Sequence, residues 1–244
     1  MYRFFVNENQ IGNDLITIEG SDVNHIKNVL RMREGETILV SDGNDNEYVC
    51  EITELADTVT TKIVEKNKES RELPIKVTLF QALPKGDKME TVIQKMIELG
   101  AVEIVPIKTS RCIVKLDDKK AAKKVARWNE IAKSAAKQSK RGIIPKVSDV
   151  ITYDQALEKA KEMDTILLPY EVAEDIDHTR EIFGKIDKGA SIAIFIGPEG
   201  GFSAEEVTKA KDVSAKEITL GNRILRTETA GMMIMSVLMY LFEE

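Results

Sequence analysis

The chain has 244 residues, 43% of them hydrophobic and 31% charged, with a formal net charge of -6. That length suits one large or two modest domains, and no stretch approaches the roughly 18 apolar residues a membrane helix requires. Two cysteines, Cys50 and Cys112, and two histidines, His25 and His178, are too few and too scattered for a disulfide framework, a zinc ribbon or a His/Cys cluster. The start lacks the apolar run and small-residue cleavage site of a signal peptide. A cytoplasmic globular protein with no metal and no membrane partner is the expectation.

The first seventy residues read as short strands at Tyr2–Val6, Leu15–Ile18, Thr37–Ser41, Tyr48–Leu55 and Thr58–Val64, rich in β-branched and aromatic residues. Turn chemistry at Asp42-Gly-Asn-Asp-Asn46 separates two of them. One helix interrupts from about Asp22 to Met32, with Ser21 or Asp22 as its cap. Strands plus one helix predict a small barrel closed on itself, which removes exposed edges. The helix and its end carry His25, Lys27, Arg31 and Arg33 on neighbouring surface, either as a solvated face or as an anion-binding one.

A polar stretch from Lys66 to Glu72 reads as a linker, dividing the chain into domains at 1–70 and 71–244. Beyond it strands and helices alternate. Ile75–Ala82 is a strand, and Lys88–Leu99 an amphipathic helix with Met89, Val92, Ile93, Met96 and Leu99 on one side. Ile104–Pro106 is a short strand and Lys119–Lys140 a long helix. From Lys108 to Lys146 there are 13 Lys/Arg against three acids, a basic block inside an otherwise acidic chain. Few of those acids are spaced to cancel the field, and Arg111, Arg127 and Arg141 suit forked phosphate contacts. Polyanion binding and a solvated helix face both remain open for this block. Strands at Thr165–Leu168, Ser191–Ile196 and Glu217–Leu220 then alternate with helices at Asp177–Gly184, Ala204–Lys211 and Glu228–Phe242. The alternation predicts a parallel α/β sheet covered on both faces.

Ligands of such sheets collect beyond the carboxyl ends of the strands. Three strand ends carry unusual loops: Leu168-Pro-Tyr-Glu171, Ile196-Gly-Pro-Glu-Gly-Gly-Phe-Ser203 and Leu220-Gly-Asn-Arg-Ile-Leu-Arg-Thr-Glu-Thr-Ala230. In the second, Gly197, Gly200 and Gly201 permit close backbone approach, and Ser203 with Glu206 forms a capping box. The P-loop ending and the G-x-G-x-x-G spacing are both missing, and Glu199 would repel a pyrophosphate. A phosphate-free cofactor with a positive centre suits the loop better, and S-adenosylmethionine has that character; a plain structural turn is the alternative. The third loop sets Arg223 and Arg226 around a turn, with Thr227 or Thr229 as the cap of the last helix, whose N-terminus favours anions.

Together these two loops resemble the RsmE family of SPOUT methyltransferases, which methylates N3 of a uridine in 16S ribosomal RNA. The resemblance extends to His25 with Val29-Leu-Arg-Met32, to Pro84-Lys-Gly-Asp-Lys-Met-Glu90, to Gln94-Lys-Met-Ile-Glu-Leu-Gly100, and to Ser110-Arg111 and Arg127-Trp128. It implies a PUA-like β-barrel followed by a SPOUT parallel sheet with a deep trefoil knot, and a homodimer. It further implies that S-adenosylmethionine is gripped by backbone at Leu168, Gly197, Leu220 and Leu225. Pro169, Ile196, Pro198, Gly200, Gly201, Gly221, Arg223, Ile224, Thr229 and Ala230 complete that cofactor site.

Uridine N3 carries a proton that must leave before it can attack. Residue chemistry and resemblance together give Arg226 the role of stabilising the uracil anion or orienting a phosphate, and Glu228 or Glu199 that of general base. Glu228 could instead serve only the helix N-terminus. His25, Lys27, Arg31, Arg33, Lys85, Arg111, Lys123, Arg127, Lys137 and Arg141 would hold the rRNA backbone within the small ribosomal subunit. Methylation of a ribose 2'-hydroxyl or another base, and a non-catalytic RNA-binding assembly factor, are the competing readings.

Overall fold

The computed structural model describes residues 1–67, 70–171 and 175–243, with the side chain of Asn67 left aside. Lys68 and Glu69 of the expected linker therefore lie outside the described residues. The chain divides into two units, one of residues 1–72 and 136–144, the other of 73–135 and 145–244.

In the first unit, β1 (Arg3–Phe5), β2 (Leu15–Ile18), β3 (Thr37–Ser41), β4 (Glu47–Leu55) and β5 (Val59–Asn67) form one sheet in the order β1-β3-β4-β5-β2. Only the β1–β3 pairing is parallel. The sheet curls into a half-barrel with β1 and β2 as its end strands. Alternating residues fill its concave side: Phe4, Ile16, Ile18, Ile38, Val40, Cys50, Ile52 and Val59 are buried together with Ile26. The expected helix is shorter and less regular than its sequence suggests. It runs as α1 (Ser21–Asn24) and then as a π-helical turn, His25–Val29, before Arg31 takes a left-handed conformation at φ 53°. Neither Ser21 nor Asp22 caps it. Gly20, at φ 72°, is the N-cap, and the Asp22 carboxylate is occupied by Lys137 Nζ at 2.9 and 3.0 Å.

The segment 136–144 belongs to this unit by hydrogen bonding as well as by proximity. Ser41 Oγ and the Asp45 amide both donate to the Gly142 carbonyl, at 2.8 and 3.2 Å. Arg141, 4% exposed, forks onto the Glu72 carboxylate with Nε at 2.9 and 2.8 Å from its two oxygens.

Among the described residues, the second unit is built on seven parallel strands. β6 (Lys76–Ala82), β7 (Glu103–Lys108), β8 (Lys146–Val147), β9 (Ile151–Thr152), β10 (Thr165–Pro169), β11 (Ser191–Ile196) and β12 (Lys216–Ile218) lie in the order β12-β10-β11-β6-β7-β8, with β9 also on β7. Helices α2 (Lys88–Glu98), α3 (Asp118–Gln138), α4 (Tyr153–Ala160), α5 (Ile176–Phe183), α6 (Ala204–Asp212) and α7 (Thr227–Phe242) connect and cover them.

The central strands read as near-continuous apolar runs because both faces are covered. Phe80 and Phe195, stacked at 4.5 Å, join Tyr153 and Leu157 of α4 and Val207 and Ala210 of α6 on one face. On the other, α2 and α7 pack together, and a Cβ placed on Gly231 of α7 would lie 3.5 Å from both Leu79 and Ile196. α4 and the two-residue strands β8 and β9 go beyond what the sequence pattern predicts. Yet Thr152 and Gln155 form a full capping box at the start of α4, a signal of the kind that marks helix starts in sequence.

Candidate active site

Four parallel strands, β6, β10, β11 and β12, bring their carboxyl ends to one rim. The turn leaving β11 is tight. Gly201 sits at φ 65° and its amide donates to the Pro198 carbonyl at 2.8 Å. A Cβ on Gly197 would lie 3.2 Å from Gly201 C and Cα and from Phe202 N, so any side chain there would push against the backbone of the turn. Ser203 caps α6 as expected: Glu206 N donates to Ser203 Oγ at 3.2 Å, while Glu206 Oε2 accepts from the Ser203 amide at 2.8 Å. The same carboxylate, through Oε1, accepts from the Ser110 amide at 2.7 Å, and Arg111 Nη1 donates to the Gly200 carbonyl at 2.8 Å. The loop after β7 thus braces the glycine turn.

The loop leaving β12 reaches back to that turn. Gly221 takes φ 93°, and α7 begins after Arg226, which acts as N-cap without a side-chain hydrogen bond. Neither Thr227 nor Thr229 caps the helix. Thr227 is its first residue, and its hydroxyl instead donates to the Gly197 carbonyl at 2.6 Å while accepting from Gln81 Nε2 at 2.9 Å.

Together these loops enclose a cleft of about 1270 Å³, ample for a nucleoside-sized ligand. Pro169, Ile196, Gly197, Pro198, Gly200, Gly201, Leu220, Gly221, Arg223, Ile224, Leu225 and Ala230 line it, as do Glu199 and Arg226. Leu168 is fully buried in the core behind the wall, and Thr229 faces solvent and is not among the lining residues. Tyr170 and Glu171, from the first of the three expected loops, line the cleft too, and the structure adds wall residues that sequence reasoning does not find: Lys88, Asp175 and Phe195. Phe195 reads as a core residue and Lys88 as a helix-surface lysine until the strand ends are brought together.

Electrostatics at the rim centre on Lys88. Its Nζ lies 3.4 Å from Glu199 Oε1 and 3.1 Å from Glu228 Oε2, and the Lys85 amide donates to the same Glu199 oxygen at 3.1 Å. The hydrogen bond to Glu228, then that to Glu199, raises the Lys88 ammonium above its ordinary value against some desolvation. Burial pushes the Glu199 carboxyl up, but its own amide, the Lys85 amide and Lys88 outweigh that and leave it below the usual range. Glu228 is likewise raised by burial and brought below its usual value by its own amide, Lys88 and Arg226. Both candidate bases are thus weaker bases than a free carboxylate.

The residues expected to hold RNA divide sharply. His25, Arg31, Arg33, Lys85 and Lys123 are exposed. Lys27 Nζ donates to the Ala56 carbonyl at 2.6 Å. Arg127 grips Glu90, with Nε at 2.8 Å and Nη2 at 2.9 Å from its oxygens, yet its side chain stays 68% exposed. Arg111 lines the cleft beside the glycine turn. Lys137 is committed to Asp22, and Arg141 is withdrawn altogether: its buried fork onto Glu72 leaves no face for a phosphate. Among the described residues no cluster of His, Cys, Asp and Glu could hold a metal ion, and no helix is long and apolar enough to cross a membrane.

The family model of an RNA methyltransferase domain covers residues 71–239, and that of an RNA methyltransferase PUA domain covers 18–64. The chain is 42% identical over 228 residues to ribosomal RNA small subunit methyltransferase E of Bacillus subtilis (strain 168), spanning 92% of this chain and 89% of that one. It superposes with a TM-score of 0.85 and 34% identity on ribosomal RNA small subunit methyltransferase E from Neisseria gonorrhoeae bound to S-adenosyl methionine, covering 99% and 98% of the two chains. A methyltransferase from Legionella pneumophila in complex with the same cofactor gives 0.83 and 32%, over 98% and 97%. The chain belongs to the ribosomal RNA small subunit methyltransferase E family.

Proposed function

We propose that the protein transfers a methyl group from S-adenosylmethionine to N3 of a uridine in 16S rRNA of the small ribosomal subunit. The observation that carries this reading is the gathering of Gly197, Leu220 and Arg226, from two strand-end loops, around one cleft of a methyltransferase domain. The residues fit the cofactor. Gly197 lets the turn that lines the cleft fold tightly on itself, Phe195, Ile224 and Leu225 offer apolar wall, and Glu171 and Asp175 suit an ammonium or a sulfonium. When bound, S-adenosylmethionine supplies a methyl group on a positively charged sulfur.

The chain's own residues then have to orient the base, favour loss of its N3 proton and hold N3 in line with the methyl group. Arg226, at the N-terminus of α7, stabilises negative charge on the uracil or fixes an adjacent phosphate. Since N3 is consumed by Watson–Crick pairing, the target uridine is unpaired or flipped out. Residues 1–70 with His25, Lys27, Arg31 and Arg33, and Lys85, Arg111, Lys123 and Arg127 of 71–244, hold the rRNA backbone without reading its sequence.

The C-terminal segment forms a deep trefoil knot, and two copies pair as a homodimer. What supports pairing is α7, which leaves Tyr240 and Leu241 exposed at 83% and 51%, an apolar surface that a monomer would keep in water. The enzyme works in the cytoplasm, where its substrate is made.

The test is to delete the gene and map the rRNA nucleosides by mass spectrometry. Loss of one N3-methyluridine from 16S rRNA, restored by the purified protein, is the expected result. Loss of a ribose methyl or of another methylated base would replace the uridine assignment, and an unchanged methyl inventory would leave an RNA-binding assembly factor.

A further inference from the structure

Lys88 stands at the start of α2, and its ammonium is held between carboxylates from two distant parts of the chain, Glu199 of the glycine turn and Glu228 of the first turn of α7. A helix-surface lysine ordinarily pairs, weakly, with a residue one turn away. This one is fixed from two other elements, so its side chain is already partly ordered before any substrate arrives. Its side chain is 31% exposed and it lines the same cleft as Arg226. Lys88, Arg226, Glu199 and Glu228 form a charge-balanced quartet. The Lys88 ammonium has three N–H donors and two carboxylate partners, so one donor is left for a carbonyl oxygen of an entering uracil.

The carboxylates are poorly suited to take the N3 proton, because the contacts that fix them also hold them ionised. The ammonium is well suited to stay charged through neutral pH. We infer that Lys88 is a catalytic residue whose ammonium donates to a carbonyl oxygen of the target uracil and stabilises its N3 anion, with Glu199 and Glu228 acting as positioning residues. The inference rests on the proposed reading of the cleft as a uridine-methylating site. The N3–H bond breaks with its electron pair left on the ring and the proton passing to bulk water. That pair then forms the N3–methyl bond as the methyl–sulfur bond breaks, its electrons neutralising the sulfonium. An ammonium only donates, so it also favours uracil, with an acceptor at O4, over cytosine, with an amino donor at that place.

The charged groups in contact with Lys88 are Glu199 from the β11 turn and Glu228 from α7; Arg226 and Arg111 line the same cleft, and Lys85 and Asp87 precede Lys88 in the chain. Lys88→Met leaves Glu199 and Glu228 without their shared ammonium, and neither carboxylate can supply the positive charge that it removes. The test uses small subunits from cells lacking the gene, the purified protein and S-adenosylmethionine, with N3-methyluridine read by mass spectrometry across pH. Lys88→Met is expected to lower kcat about 10²–10³-fold at neutral pH. Its cofactor Kd by calorimetry should stay within about threefold of wild type. The defect should shrink as pH rises and the uridine ionises unaided, which a merely structural lysine would not produce. Glu199→Gln and Glu228→Gln should each cost less than about tenfold in kcat and keep the wild-type pH profile. Lys88→Met turnover near wild type would overturn the inference, as would a Glu228→Gln defect as deep as that of Lys88→Met with its pH dependence abolished. Wild-type protein that methylates the subunit elsewhere than uridine N3 would overturn the underlying reading instead.

Discussion

The hydroxyl of Thr227 donates to the carbonyl of Gly197 at 2.6 Å, fastening the first residue of α7 to the turn that leaves β11. Because Gln81 Nε2 donates to the same hydroxyl at 2.9 Å, three elements share one oxygen beneath the cleft. Thr227→Val keeps the shape and removes that oxygen, leaving two buried partners short of a bond at a cost of about 1–3 kcal/mol. Cofactor affinity, measured by calorimetry, should fall several-fold while the fold survives. An unchanged Kd would mean that the glycine turn holds itself in place.

Gly197→Val should abolish cofactor binding. Even a methyl group at this position would sit 3.2 Å from three backbone atoms of the same turn, and a branched side chain would push the turn that lines the cleft further apart. Calorimetry showing no heat, with a far-UV spectrum like that of the wild type, is the expected pair of results.

Arg226→Ala should separate binding from chemistry. Arg226 caps α7 with its backbone alone, so its side chain is free of helix duty. Single-turnover rates should drop about 10²–10³-fold with the cofactor Kd nearly unaltered. Lost binding with normal residual chemistry would reverse the assignment.

Glu72→Ala should unfold the protein at markedly lower urea. It strips the carboxylate from a guanidinium that is 4% exposed, and breaking such a pair from one side costs about 3–5 kcal/mol. Lys123→Ala, on an exposed helix position, should leave the midpoint within about 0.5 kcal/mol of wild type. Equal midpoints for the two variants would contradict the buried-pair argument.

Replacing Lys119, Lys120, Lys123 and Lys124 together with Gln should weaken RNA binding and flatten its salt dependence. For every phosphate that these lysines no longer neutralise, the slope of log K against log salt should become shallower by about 0.7–0.9. A slope equal to that of the wild type would return this face of α3 to ordinary solvated surface.

Much of the second unit is legible because parallel strands buried on both faces are written as apolar runs, as in Ile192–Ile196, and because Ser203 and Glu206 announce the start of α6. Local rules fail where long-range partners intervene. Thr227 has the residue type and position of a cap, but a carbonyl from β11 competes successfully with the helix for its hydroxyl. Asp22 is lost as a cap to Lys137, and Arg141 is lost as a phosphate ligand to Glu72. Lys88 escapes sequence reading for the converse reason: its two carboxylates lie more than a hundred positions along the chain, and no spacing rule joins them. The π-helical turn at His25–Val29 carries no periodicity that would distinguish it from an α-helix.

Residues 136–144 complete the N-terminal unit from the middle of the methyltransferase sequence. The polypeptide therefore leaves the half-barrel, builds part of the second sheet and returns before finishing the rest. Any genetic dissection at the polar stretch near residue 70 deprives the N-terminal product of residues 136–144 and leaves them stranded on the C-terminal one. An isolated module for binding work would need the nine-residue return segment grafted on, and shuffling of this half-barrel between relatives as a single cassette is correspondingly disfavoured.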